Sequence, residues 1–103
     1  RSQDRPLLVD AAATVISIKV RWDGNHGDAN KPQAILLANP EIGVASQTVT
    51  ATSAGGTGST PNSYETLTFS SITPTAAGVV MLRMVSRSAA GNGAAYFDTI
   101  AFA

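Results

Sequence analysis

Between Val15 and Trp22 the chain alternates strictly, with Ile16, Ile18, Val20 and Trp22 apolar and Ser17, Lys19 and Arg21 polar. A period of two is the signature of a strand with one buried face. The period returns over Tyr64–Phe69, where Leu67 and Phe69 share one face and Thr66 and Thr68 the other. Val79–Val85 is almost continuously apolar, which predicts a strand lying centrally in a sheet. The last strand is expected over Ala94–Phe102, with Tyr96, Asp98, Ile100 and Phe102 on a common, inward face. Shorter strands are predicted at Pro6–Val9, with proline at an edge-strand start, at Gln33–Ala38, and over Ile42–Thr52, which is rich in β-branched residues. Residues 1–5 are polar and expected to fray.

Turn chemistry separates these segments. Asp23–Pro32 reads as a long loop, Asn39-Pro40 as a chain break, and Ala54–Asn62 as a glycine-rich connection. Thr73–Gly78 makes another turn, and Asn92-Gly93 is a favoured hairpin pair. No segment has a helical period, and Ala11–Ala13 is too short to nucleate a helix. Six or seven short strands without helices predict one all-β domain over residues 1–103, a mainly antiparallel β-sandwich of jelly-roll type.

Composition narrows the function classes. Charged residues make up 14% of the 103 positions, and seven basic side chains balance seven acidic ones. Nucleic acid and anionic membranes both reward clustered positive charge, so neither is an expected partner. There is no cysteine, hence no disulfide framework and no thiolate metal site. No apolar run approaches the roughly 18 residues of a membrane-spanning helix. The chain has neither a signal-peptide pattern nor an initiator methionine, which points to Arg1 as the start of an excised or processed piece. Low charge with abundant serine and threonine suits an exposed β-domain on a virion or outside the cell.

Four segments carry a family resemblance. The Val15–Trp22 strand comes first, followed by Tyr64–Phe69 (YETLTF), Gly78–Arg83 after a threonine-proline turn, and Ala95–Phe102 (AYFDTIAF). In this order the chain from 14 to 103 resembles the jelly-roll carbohydrate-binding modules of xylanases and glucanases, and related domains in phage structural proteins. The resemblance implies a β-sandwich and a structural calcium held by the aspartate of the closing strand, here Asp98. It also implies exposed aromatics wherever sugar is bound.

Each candidate residue has a chemical reason. Asp98, on a face expected to point inward, is costly to bury unless it is paired or holds a metal. A loop amide or Arg83 is the alternative partner to calcium. Asp23, Asn25 and Asp28 are hard oxygen donors within one loop, but the terminal glutamate of a calcium loop is missing, so solvated turns are the expectation. His26, the sole histidine, would need an orienting carboxylate and a nucleophile to act as a base, and is expected as a surface loop residue. Trp22 and Tyr64 are the candidate sugar platforms; Trp22 continues an apolar face and is assigned to the core, whereas Tyr64 faces away from Leu67 and Phe69. Lys19 and Arg21 point to solvent, as a docking face or as a guard against edge pairing.

No enzyme chemistry is evident in this set. The leading expectation is a non-enzymatic structural or decoration domain of a phage virion, on the capsid surface or tail. It would contact neighbouring virion proteins and form a homo-oligomer. The second expectation is a calcium-stabilised carbohydrate-binding module, on a virion or secreted protein, that uses Tyr64 and Trp22.

Overall fold

A computed structural model of the chain describes residues 1–88 and 93–103. Seven strands make up the fold: β1 (Ser2–Val9), β2 (Ile16–Trp22), β3 (Gln33–Leu36), β4 (Gln47–Thr50), β5 (Glu65–Phe69), β6 (Gly78–Val85) and β7 (Ala95–Phe102). They form two sheets, ordered β1-β6-β3-β4 and β5-β2-β7, in which every pairing is antiparallel. The all-β sandwich expected from the alternation is therefore the observed architecture.

The pairing follows a simple rule. β3 pairs with β4, β2 with β5 and β1 with β6, so strands equally far from the β3–β4 turn pair with each other. Successive pairs fall in alternate sheets, and β3–β6 and β2–β7 contacts join them side by side. This is a long antiparallel ribbon rolled over a core, the jelly-roll connectivity. β2 packs Ile16, Ile18, Val20 and Trp22 against Leu67 and Phe69 of β5 and, across the sandwich, Leu7 and Val9 of β1, Ala34 and Leu36 of β3, and Val80 and Leu82 of β6.

Three segments differ from the sequence-based expectation. The first strand starts at Ser2 rather than Pro6, and Ser2–Arg5 pair with Val85–Leu82 instead of fraying. Asp4 and Arg83, directly opposite in register, join through two hydrogen bonds of 2.7 and 2.9 Å. Over 42–52 only Gln47–Thr50 is strand. A 3-10 turn at Pro40–Ile42, capped by the Asn39 side chain and closed by Gly43 at φ +73°, interrupts it. The closing strand bulges. Thr99 has φ +50°, and the β2–β7 register slips between Ser17 and Lys19. The extra residue changes the phase between the two halves: Ile100 faces the core as expected, and Phe97 joins it. Tyr96 and Asp98, expected inward, are exposed, while Phe102 opposite Ile16 is exposed at the strand's end. The predicted Asn92-Gly93 turn falls partly outside the described residues.

Candidate functional site

The loop after β2 is the first place where polar side chains are buried. Asp23 caps the 3-10 turn Gly24–His26, its Oδ1 accepting from the Asn25 amide at 3.1 Å, and the turn swings His26 under the sandwich end. His26 is 1% exposed and Asp23 2%, so the histidine is not the surface loop residue that the turn-rich sequence suggests. Its ring meets Trp22 edge-on, with centroids 5.6 Å apart. Nδ1 lies 3.3 Å from Asp23 Oδ1 and Nε2 lies 3.1 Å from Ser86 Oγ, just beyond β6. With a carboxylate oxygen accepting, Nδ1 is the donor to Asp23, and in a neutral imidazole Nε2 then accepts from the Ser86 hydroxyl.

This is the hydrogen-bond order of a serine–histidine–aspartate relay. A relay of that kind also needs free N–H donors for an oxyanion. Here the Ser86 amide donates to Arg1 O at 3.0 Å, the Ala94 amide to Asp23 Oδ2 at 3.0 Å, and the Gly93 amide to Ser88 Oγ at 2.9 Å. These three amides hold the loop in place. The cluster ties the β2 loop, the end of β6 and the start of β7 into one corner. The remaining loop oxygens, Asn25 and Asp28, are exposed.

A second arrangement lies on the outer face of the three-stranded sheet. Arg21 places its guanidinium carbon 5.2 Å from the Tyr64 ring centre and 5.1 Å from that of Tyr96. The cation is thus stacked between two tyrosines that are 41% and 46% exposed. Its Nε is buried and makes no hydrogen bond among the described residues. Tyr64 is therefore where the alternation predicted it, on the solvent face. Tyr96 was missed as a site residue because the bulge at Thr99 could not be read from the alternation. Trp22, the other predicted platform, is 1% exposed and covered by the loop after β4: a Cβ on Gly55 would come within 2.6 Å of the indole.

Asp98 is exposed, and its Oδ1 accepts from the Thr99 amide at 2.8 Å, the nearest-loop-amide alternative rather than Arg83. Among the described residues no three histidine, cysteine, aspartate or glutamate side chains converge on a point. Calcium takes about six to eight oxygens, so among the described residues side-chain carboxylates alone would not complete its shell at Asp98.

No family model matches the chain, and no curated protein or solved structure matches it either.

The third feature is apolar. On the outer face of the four-stranded sheet Leu8 stands opposite Val79 and Pro6 opposite Met81, with Leu37 beside Met81. Leu8 is 75% exposed and Val79 51%. Inward-facing Leu7, Val9, Val80 and Leu82 fill the core, so the outward set is surplus to it. On the same outward face of β1 and β6 the next charged groups, Asp4 and Arg83, neutralise each other.

Proposed function

We propose that this chain is a structural domain of a phage virion, on the capsid surface or tail, that acts by contact with neighbouring proteins and self-associates. The observation that carries the reading is the Leu8–Val79 and Pro6–Met81 patch on the outer face of the four-stranded sheet. Large side chains left in water on a flat, nearly uncharged sheet face gain free energy when a second surface covers them, by about 25 cal/mol per Å². A second copy offers the same face, and such a contact is closed by two-fold symmetry. The virion setting comes from the resemblance of residues 14–103 to phage structural domains.

Light scattering over a range of concentrations tests it. The chain is expected to form dimers or larger closed assemblies, and the double substitution Leu8→Lys with Val79→Lys to leave a folded monomer. A chain that is monomeric at every concentration contradicts the reading.

A second reading, a sugar-binding module, is favoured by one observation: Tyr64, Arg21 and Tyr96 form an exposed aromatic and cationic row. Pyranose C–H faces pack on such rings. A glycan array run with calcium and again with a chelator, on the chain and on Tyr64→Ala, distinguishes the two. Binding lost in the variant would make the module a lectin.

A further inference from the structure

The roll leaves one of its pairs unfilled. First with sixth, second with fifth and third with fourth exhausts the pairing rule, and β7 is left at the end of its sheet with β2 on one side only. The next position in the series lies beside β7, antiparallel to it, in the three-stranded sheet. Among the described residues no strand occupies that position.

The core reports the same gap. Five apolar side chains pack against the buried cluster while remaining partly exposed, and four of them, Met84, Ala95, Phe97 and Ile100, lie along this flank. Between β1 and β7 run two adjoining clefts of about 320 and 300 Å³, which share Met84 and Phe97 as walls. Buried Ile18 lines the second, so core atoms are reachable from the flank. β1 guards its own edge with Asp4, Arg5 and Pro6, residues that blunt strand addition. β7 carries no charge or proline over Ala95–Phe97, and its bulge begins only after Asp98.

We propose that the β7 edge over Ala95–Asp98 accepts an antiparallel β-strand from a neighbouring protein, with apolar side chains at alternate positions filling the cleft between β1 and β7. Backbone pairing supplies the affinity, and the alternate side chains supply the fit against Met84 and Phe97. That the strand belongs to a neighbour rests on the assembly reading; the readiness of the flank does not. Pairing of β7 with β7 of a second copy is the poorer solution. Antiparallel pairing about the strand's middle would bring the two Asp98 carboxylates diagonally together.

The test uses the 103-residue chain and an end-blocked probe peptide, Lys-Val-Thr-Val-Thr-Val-Lys, followed by residue-resolved NMR and amide exchange. At saturating millimolar peptide the amides of 95–98 are expected to shift and to exchange about tenfold more slowly. The β4 and β5 edges should not change. The same peptide with alternate residues N-methylated cannot pair and should have no effect. Absent shifts at 95–98, equal shifts at all edges, or an undiminished effect of the N-methylated peptide would overturn the proposal. So would concentration-dependent protection of β7 in the peptide-free chain, which would assign the edge to a second copy. Light scattering of the Leu8 and Val79 variants is a separate readout, so failure of the assembly reading and failure of the flank are told apart.

Discussion

The two flanks of this sandwich are built in opposite ways. On one, β4 and β5 are bridged by the 51–64 connection, and polar groups fasten it. The Glu65 carboxylate accepts from the Thr52 and Ser53 amides and from both of their hydroxyls, at 2.6–3.2 Å. Asn62 accepts from the Trp22 amide at 3.0 Å and donates to Ala54 O at 2.6 Å, while Trp22 O receives the Gly56 and Asn62 amides. On the other flank β1 and β7 face each other across open clefts walled by Met84 and Phe97. A loop can close a sandwich edge only when its own backbone groups are satisfied. The 51–64 loop meets that condition with side-chain acceptors, and the β1–β7 flank has no loop to do so among the described residues.

The difference sets an order of mutational costs. Phe69, fully buried on β5, should lose about 3–5 kcal/mol on truncation to alanine. Phe97, partly exposed on β7, should lose only about 1–2 kcal/mol, in proportion to the area it removes from water. Urea unfolding of both variants measures the gap, and equal costs would mean that the β7 flank is closed. Next, Asn62→Ala should cost about 1–2 kcal/mol, because the partly buried Trp22 amide loses its acceptor.

Glu65 predicts a pH dependence. Burial alone would raise its pKa, but the hydrogen bonds from Ser53 and Thr52 together outweigh burial and hold it below the ordinary 4.5. A carboxylate lowered in the folded state stabilises above its ordinary value, and that stabilisation is lost as pH falls from 4.5 through the folded value. Thermal melts from pH 6 to pH 3 should therefore fall less steeply for Glu65→Gln than for the parent chain. The smallest effect belongs to the open flank. Asp4 is held below the usual carboxylate range by its hydrogen bonds to Arg83, yet the pair is solvent-exposed. Asp4→Asn should leave the melting temperature within error at physiological salt.

What could be read from the sequence followed from where hydrophobic periodicity decides the structure. Ile16–Trp22 faces the core on every second residue, so its strand and its buried face were both legible. Ser2–Arg5 pairs through backbone and an ion pair at a solvated edge, which leaves no apolar signal. One bulged residue, Thr99, inverted the faces of Ala95–Asp98 and left Ile100 inward as expected, because alternation carries no memory across an insertion. His26 was misplaced for a different reason. Asp, Gly and Asn announce a loop, but only tertiary packing under Trp22 determines that its histidine turns inward to Ser86. The exposure of Tyr64 was visible from its off-phase position, whereas that of Tyr96, on the other side of Arg21, depended on the bulge.

The 51–64 connection seals one flank, and the clefts between β1 and β7 leave the other open. Residue-resolved amide exchange on the dilute chain, without added peptide, compares the two flanks, because each contributes two edge strands. The paired amides of β7 over 95–98 are expected to exchange at least about tenfold faster than the paired amides of β4 and β5. Equal protection on both flanks in the monomer would contradict that expectation.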